Sequence, residues 1–573
     1  MSRPPTLRAG LIGLLALTLL QIAAGFGSAP LMRAEIYFLD VARSMLERGD
    51  LLVPYYEGEP FFDKPPLTYW LIAASFRLFG YTAAAARAVP ALAAIGAVAA
   101  TVWLGRRLFE TRSALAGGLV LATTFGFVSF ARVAMSDMLL ALSSVVAVGL
   151  GVELLAPERR GGWRVAALGG VLGLGFLTKG PVALLLPGLG LLLLAWQQRA
   201  RLPRPDIWWV LGALAFALVG LSWFGLVAAR LGSGPLEYFF LRENLERFAG
   251  ETYDAERPLW YYLTTYLAEG APWSLLMPAA LLSFQRGLTP AEQRPGARFL
   301  LGWLGLMLVP LSLSRGKLDY YLLPLYPAAS LVIGHWLAAA RWRRADRVAV
   351  RVVLVLAALA LLGGIALPGR LPEPWLPPAG ARAAVAGLAV AGALLALAAT
   401  RRPTPARSLG VLAGLTAGLF VAVSGVYLPA FRAAQPNAAI VADVSRERHF
   451  RRDARLALCE DPVLVARDLL FHARLAPLRR CDLWNPAASE QPFLVFVPEE
   501  RRDDLMEIPA VRFVGRYTYL PGVTLTLAGL LQGPRPAELA LIANYPTSDP
   551  ISLRRNRRDR KREVRERQSG ASP

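Results

Sequence analysis

Long apolar stretches alternate with short polar segments over the first 430 residues of the chain. Segments such as 182–196, 352–367 and 383–399 contain no charged residue, and they approach the roughly 20 helical residues that cross a bilayer. They are rich in Leu, Ala and Gly, whereas buried strands are shorter and richer in Val and Ile. The pattern therefore predicts an all-α polytopic membrane domain over residues 1–430.

We expect about thirteen transmembrane helices in this domain. They cover residues 9–26, 88–104, 114–130, 138–155, 165–177, 182–196, 208–229, 259–284, 299–313, 321–339, 352–367, 383–399 and 409–428. The apolar segment 67–80 is shorter and carries Arg77 near its end, so we interpret it as an interfacial helix. No small-residue cleavage site follows the first segment, which we interpret as a retained helix rather than a signal peptide.

The arginines give the expected orientation. The loops densest in arginine follow every second predicted helix, and such loops face the cytoplasm. Residues 27–87 would then form a large first periplasmic loop. The chain has 62 Lys and Arg residues against 41 Asp and Glu, a net charge of +21. Because this charge is spread over loops rather than gathered on one face, we expect membrane lipids and no nucleic acid as partners.

The composition becomes mixed after the last predicted span. Residues 431–545 are predicted to form a small α/β periplasmic domain, with strands at 463–466 and 493–497 and a helix at 440–449. Residues 546–573 form a basic tail that we expect to be disordered. The two cysteines, Cys459 and Cys481, fall in the periplasmic domain, where a disulfide and two reduced, buried thiols are both open.

Ionisable side chains gather on the predicted periplasmic side. The principal ones are Glu35, Arg43, Lys64, Arg132, Asp137, Lys179, Glu243, Arg247, Lys317 and Asp319. Ionisable groups at membrane depth are costly and are usually functional. Cations can hold a lipid phosphate while a carboxylate orients or deprotonates an acceptor. This grouping favours the transfer of a chemical group from a lipid phosphate.

Several of these side chains also have a purely structural explanation. Lys64 precedes two prolines at the start of the predicted interfacial helix, where lysines are common. Asp137 follows a serine and could cap a helix, and Lys179 lies in a Thr-Lys-Gly-Pro turn. Glu243 and Arg247 have the spacing of a helical ion pair. The residues alone leave both explanations open.

Five motifs follow one another along the chain. They are EIYFLDVARSML at 35–46, FDKPPLTYWL at 62–71, ARVAMSDMLL at 131–140, GFLTKGP at 175–181 and SRGKLDYYLLP at 314–324. The set resembles the motifs of the protein mannosyltransferase and lipid A aminoarabinose transferase superfamily, and the second motif is similar to its (E/D)KPPLxYWL signature. The resemblance covers roughly residues 10–340 in order.

The resemblance implies a C-type glycosyltransferase fold in a bacterial inner membrane. The enzyme would move a sugar from a polyprenyl phosphate to a lipid A-like glycolipid or another envelope glycan at the periplasmic face. Lys64 and Lys179 would bind the donor phosphate, and Glu35 and Asp137 would be the catalytic carboxylates. The further donor- and substrate-binding residues would be Arg43, Arg132, Arg247, Lys317 and Tyr320.

The first acidic motif departs from the family pattern. The family usually has Asp-Glu at this place, whereas this chain has Ala34 and Glu35. Either Glu35 takes the role of the missing acid, or the acceptor needs no strong base. A phosphate acceptor is already ionised and needs none, whereas a sugar or serine hydroxyl would benefit from one. The family's histidine near 253–256 is also missing, so we assign no cofactor, and a divalent metal stays open.

Two other functions stay open. One is a protein O-mannosyltransferase-like activity on extracytoplasmic Ser or Thr residues. The other is a lipid or solute transporter, whose path the same charges would line. Many transporters show internal repeats, and none is evident in this sequence. The sequence does not specify the sugar.

Overall fold

The computed structural model describes sixteen segments of the chain. These are residues 7–29, 31–56, 58–155, 162–198, 206–246, 257–287, 291–338, 342–366, 370–373, 375–450, 455–458, 479–480, 492–499, 502–507, 511–519 and 537–543. Arg247, both cysteines, the strand predicted at 463–466 and the tail at 546–573 lie outside these segments. What the sequence predicts for them stays a prediction.

Helices make up most of the described chain. They are α1 (Leu7–Ala23), α2 (Arg33–Arg48), α3 (Leu67–Phe79), α4 (Ala83–Leu108), α5 (Thr111–Ala122), α6 (Phe125–Phe130), α7 (Asp137–Leu154), α8 (Trp163–Lys179), α9 (Val182–Gln197), α10 (Ile207–Phe216), α11 (Ser222–Leu231), α12 (Gly234–Glu237), α13 (Tyr261–Glu269), α14 (Met277–Gln285), α15 (Arg294–Leu313), α16 (Tyr326–Ala338), α17 (Arg344–Gly364), α18 (Ala379–Arg401), α19 (Pro405–Ala434), α20 (Asn437–Phe450) and α21 (Arg502–Met506). Shorter 3-10 helices cover Trp273–Leu276, Ala291–Gln293 and Asp319–Leu325, and π-helices cover Ala217–Leu221 and Tyr238–Glu246.

Among the described residues, eight helical segments are long and apolar enough to cross a membrane. They are Ala83–Leu108, Asp137–Leu154, Ile207–Leu231, Ala291–Leu313, Asp319–Ala338, Arg344–Gly364, Ala379–Arg401 and Pro405–Glu447. Four shorter apolar helices accompany them, including Leu7–Ala23 and Val182–Gln197. The helical part of the chain is therefore a multi-pass, all-α membrane domain, as predicted. The count of about thirteen spans stays a prediction.

Two segments that we predicted as single helices are broken. The segment 114–130 divides into α5 and α6 at Thr123 and Thr124, whose hydroxyls donate to carbonyls one turn back at 2.6 and 2.7 Å. Such back-bonding competes with the regular helix ladder. The segment 259–284 divides between α13 and α14, where Pro272 has no N–H to continue a helix.

A buried carboxylate joins three helices at the end opposite the sequence motifs. Glu153, near the end of α7, accepts hydrogen bonds from Arg164 at 2.8 Å and from Trp103 at 3.1 Å. It also forms an ion pair with Arg107, near the end of α4. Because α7 and α8 run antiparallel, the start of α7 and the end of α8 meet at the other end of the bundle.

A five-stranded sheet follows the helical domain. Its strands are β3 (Arg455–Leu458), β4 (Arg479–Arg480), β5 (Phe493–Pro498), β6 (Arg512–Tyr519) and β7 (Ala537–Ala543), in the order β4-β3-β5-β7-β6. Strand β3 pairs in parallel with β4 and β5, whereas β7 pairs antiparallel with β5 and β6. Helix α20 contacts the sheet, where the Tyr517 hydroxyl donates to Asp443 at 2.7 Å. The strand predicted at 493–497, the helix at 440–449 and the α/β class of this region are confirmed, whereas the domain limits stay predictions.

Candidate active site

The first loop folds as a helix, a short hairpin and a second helix. Helix α2 ends at Gly49 with a φ of 66°, and the hairpin pairs β1 (Tyr55–Tyr56) with β2 (Glu59–Pro60). Asp50 accepts hydrogen bonds from the backbone N–H of Leu52 at 3.0 Å and of Val53 at 3.2 Å, and it pairs with Arg230 on α11 at 3.0 Å. Burial acts to raise the pKa of Asp50, but these N–H groups and the guanidinium outweigh it and hold the pKa below its usual value. The loop is thereby fixed to the helical bundle.

Lys64 stands at the start of α3, beside two prolines. Its ammonium donates to the carbonyl of Asp63 at 2.7 Å and pairs with Glu243 Oε2 at 3.2 Å. The side chains of Lys64 and Glu243 are 14% and 6% exposed. The hydroxyl of Tyr238 donates to Asp63 at 3.0 Å. These contacts join the second sequence motif to the π-helix Tyr238–Glu246.

Asp137 and Lys179 meet because one begins α7 and the other ends α8. They form an ion pair, and both side chains are largely buried. The Lys179 ammonium also lies 4.5 Å from the ring centroid of Tyr321 and 5.7 Å from that of Tyr320. Three of the five motifs therefore converge at this point, and they bring three predicted site residues together: Asp137, Lys179 and Tyr320.

The two lysine pairs are linked through Phe239. This buried ring lies on the π-helix that carries Glu243. A Cβ added to Gly180, the residue after Lys179, would lie 2.5 Å from Phe239 Cζ, and Gly180 has a φ of +65°. Only glycine suits this backbone conformation without strain, and no side chain fits the space. The backbone that follows Lys179 is thus in contact with the π-helix.

Glu35 is fully buried and enclosed by donors. Its two oxygens accept from Arg87 Nε and Nη2, both at 2.9 Å. The backbone N–H groups of Ala134 and Met32 each donate to it at 2.8 Å. A group that touches an acceptor needs an exposed oxygen, and Glu35 is 0% exposed. The catalytic role predicted for Glu35 therefore finds no support in this geometry, which favours a positioning role between α2, α4 and the segment before Asp137.

Two of the other predicted binding residues, Arg43 and Lys317, form bonds within the protein. Arg43 pairs along α2 with Asp40 at 3.1 Å and with Glu47 at 3.9 Å. Lys317 is buried and donates to the carbonyl of Arg257 at 3.0 Å. Their roles in binding stay predictions.

Arg132 turns towards α19. Its Nη1 donates to the Ser424 hydroxyl at 2.8 Å, and its guanidinium lies 5.4 Å from the ring centroid of Phe420. Burial lowers the pKa of Arg132 to about 10, and the nearby charge of Arg87 acts in the same direction. The described contacts of Arg132 are therefore separate from those of the lysine pairs.

Comparison with known proteins gives three kinds of match. Residues 63–223 match the family model described as Dolichyl-phosphate-mannose-protein mannosyltransferase. The chain is 35% identical over 346 residues to an undecaprenyl phosphate-alpha-4-amino-4-deoxy-L-arabinose arabinosyl transferase of Pseudomonas paraeruginosa, covering 57% of this chain and 61% of that protein. It is 31% identical over 346 residues to the protein of the same name from Edwardsiella ictaluri, covering 60% and 61%. The aligned part thus spans less than two thirds of these relatives.

The fold is similar to that of ArnT from Cupriavidus metallidurans, whose crystal structure was solved bound to undecaprenyl phosphate. The TM-score is 0.70 at 21% identity, over 92% of this chain and 97% of that chain. The chain is thus similar in sequence to members of the protein mannosyltransferase and aminoarabinose transferase superfamily, and it shares the fold of ArnT. The resemblance and the fold predicted from the motifs are confirmed.

Two partners of the superfamily motifs were not assigned from the sequence. Arg87 is the ion-pair partner of Glu35, and Glu243 is the partner of Lys64. A signal for Arg87 exists, because it lies at the predicted periplasmic end of a span, away from the arginine-rich loops. Glu243 was already expected on the periplasmic side, but its spacing from Arg247 suggested a local pair rather than a pair with Lys64.

Metal ligands were also considered, because a divalent metal stayed open for this superfamily. Within the segments that the structure describes, no three His, Cys, Asp or Glu side chains come together in an arrangement that could hold a metal ion.

Proposed function

We propose that the chain is a membrane glycosyltransferase that moves a sugar from a polyprenyl-phosphate donor to a cell-envelope acceptor. The observation that carries this proposal is that Lys64 and Lys179, which are distant in sequence, are tied to the same π-helix. Lys64 pairs with Glu243 on it, and Gly180, the residue after Lys179, packs against its Phe239. The curated relatives are named for an undecaprenyl phosphate-linked aminoarabinose, and the solved neighbour contains undecaprenyl phosphate. Both names support a polyprenyl-phosphate sugar as the donor.

The proposed reaction exchanges one bond at the anomeric carbon of the sugar. The bond from this carbon to the donor phosphate oxygen breaks, and a bond to the acceptor oxygen forms. The electron pair of the broken bond stays on the phosphate, which leaves as a polyprenyl monophosphate. Lys64 and Lys179 would stabilise the charge that the phosphate gains. Asp137, which pairs with Lys179, would hold that ammonium in place.

The state of Glu35 bears on the acceptor. A hydroxyl acceptor must lose a proton during transfer, and a general base accelerates this step. A phosphate acceptor is already ionised, so it attacks without one. Because Glu35 is enclosed by four donated hydrogen bonds, we favour an anionic acceptor such as a lipid A-like glycolipid. The periplasmic face of the inner membrane is the place that the arginine pattern predicts for this reaction.

A second candidate is transfer of a sugar to protein Ser or Thr residues. The description of the matching family model, which names a protein mannosyltransferase, favours it. A hydroxyl acceptor would require a base other than the enclosed Glu35. Asp137, the other carboxylate predicted to be catalytic, would be the candidate, and it is paired with Lys179.

Transfer by the full-length protein in proteoliposomes tests these proposals. The donor would be undecaprenyl phosphate-linked aminoarabinose, offered with lipid A or with a Ser/Thr-containing peptide, and the mass shift of each acceptor would be measured. We expect lipid A to be modified, and we expect the exchanges Lys64→Ala and Lys179→Ala to slow transfer about 100-fold or more. The matched control is Arg402→Ala, which removes an exposed positive charge from the segment between α18 and α19. Normal turnover by the folded Lys64→Ala, Lys179→Ala double variant would refute the site.

A further inference from the structure

Some of the N–H donors of the Lys64 ammonium are already used in hydrogen bonds within the protein. A lysine has three N–H donors. The Asp63 carbonyl and Glu243 Oε2 accept from two of them, at 2.7 and 3.2 Å. One donor is left for a ligand among the described contacts of Lys64. A phosphate oxygen that takes it must approach the carboxylate of Glu243.

Water screens the negative charge of Glu243 only weakly, so this charge acts strongly on a phosphate bound nearby. Its side chain is 6% exposed, so water weakens its charge much less than at a surface site. Like charges within a few ångströms of each other in this setting repel strongly. The repulsion grows with each negative charge on the phosphate group.

Donor and product of the proposed reaction differ in that charge. The donor is a phosphodiester with one negative charge. The product is a phosphomonoester, which takes up a second negative charge above a pKa of about 6. Resting on the proposed function, we propose that Glu243 is a specificity-determining residue that disfavours the doubly charged product and thereby promotes the release of polyprenyl monophosphate.

Other titratable groups face the same place. From the loop before α3, the carboxylate of Asp63 is bound by the Tyr238 hydroxyl and repels a phosphate in the same sense as Glu243. From α3 itself, the buried Tyr69 lies in the field of both carboxylates. The positive charge of Lys179 is compensated by the carboxylate of Asp137, with which it forms an ion pair.

The chain offers a matched control for Glu243. Glu237 lies on α12, directly before the same π-helix, but it is exposed and accepts a hydrogen bond from the Ser233 hydroxyl at 2.6 Å. The exchanges Glu243→Gln and Glu237→Gln remove the same charge from the same segment. Only the first removes it from the neighbourhood of Lys64.

The test measures binding of two probes to the full-length protein in nanodiscs. The probes are undecaprenyl phosphate, which stands for the product, and its methyl diester, which carries one charge as the donor does. At about pH 8 we expect Glu243→Gln to bind the monoester about tenfold more tightly than wild type, with less than about threefold change for the diester. At about pH 5 the monoester carries about one charge, so the difference between the probes should vanish. Glu237→Gln should match wild type.

Equal gains for both probes, no gain or weaker binding of the monoester would overturn the role of Glu243. If Glu243→Gln does not fold, Glu243→Asp withdraws the carboxylate by one methylene and should give a smaller change of the same sign, and the opposite sign would overturn the proposal. Failure of the proposed function looks different. In that case wild type binds neither probe, or the exchange Lys64→Ala leaves binding of both unchanged.

Discussion

Glu35 and Arg87 form a bidentate ion pair in which both carboxylate oxygens accept from the guanidinium at 2.9 Å. The pair joins α2 of the first loop to α4 of the bundle. Because the side chains are 0% and 2% exposed, breaking the pair leaves a buried charge without compensation.

The exchange Glu35→Gln should therefore act mainly on stability. We expect a loss of about 3–5 kcal/mol in the free energy of unfolding, since the guanidinium of Arg87 stays buried without its counter-charge. Thermal unfolding in detergent and the turnover per folded molecule would be measured together. The double exchange Glu35→Leu, Arg87→Met is the control and should be less harmful than Glu35→Gln. A Glu35→Gln protein with wild-type stability but at least a hundredfold lower turnover would instead establish a catalytic role.

The pair of Asp137 and Lys179 should behave as a unit. Asp137→Asn and Lys179→Met should each slow transfer by about a hundredfold, and the double variant should be little worse than either. The reason is that Lys179→Met removes the ammonium, whereas Asp137→Asn removes the carboxylate that holds it in place. Initial rates of the wild type, the two single variants and the double variant, at saturating and at low donor concentration, give the double-mutant cycle. Fully additive losses would mean that the two side chains act independently.

Gly180 should tolerate no side chain while Phe239 is present. A Cβ at this position would meet the Phe239 ring at 2.5 Å, and its φ of +65° is strained for other residues. We expect Gly180→Ala to raise the KM for the donor several-fold by displacing Lys179 or the π-helix. Adding Phe239→Leu should recover part of the loss by making room. No recovery in the double variant would locate the defect in the backbone alone.

The orientation of the chain can be tested by labelling. Single cysteines would be introduced near Asp63 and near Arg402 in a Cys459→Ser, Cys481→Ser background. The arginine pattern predicts that an impermeant reagent added to intact cells reaches the first position and not the second. The reverse labelling pattern would invert the predicted topology and place the site on the cytoplasmic face.

Sequence reasoning reached the elements and the motif residues but not all of their partners. Asp137 and Lys179 were predicted on one side because the helices alternate, and antiparallel packing then forces them together. Glu243 depends on the path of a π-helix between two spans, which no local pattern encodes. The breaks at Thr123 and before α14 were missed because the spans were predicted from apolar composition alone. Composition does not show that the Thr123 hydroxyl bonds back onto its own helix, or that a proline lacks the N–H needed to continue one.

The same limit applies to Glu35. Its place at the head of a motif suggested a reacting group, whereas the structure encloses it with one guanidinium and two backbone N–H groups. Burial and partner choice are properties of the packed bundle, so a single sequence cannot separate a catalytic acid from one that holds helices together. The 0% exposure of Glu35 favours the second role, and its catalytic role stays a prediction.

Lys64 and Lys179 are each paired with a carboxylate in this structure, so each pair is close to electrically neutral. A small anion dissolved in the periplasm would gain little by entering, because it would meet two negative charges together with two positive ones. A ligand that is tethered to the bilayer arrives at a high local concentration and brings the burial of its hydrocarbon tail as additional binding energy. If the proposed transfer is correct, the protein should consequently ignore soluble sugar phosphates, and the length of the isoprenoid tail should govern which donors it captures.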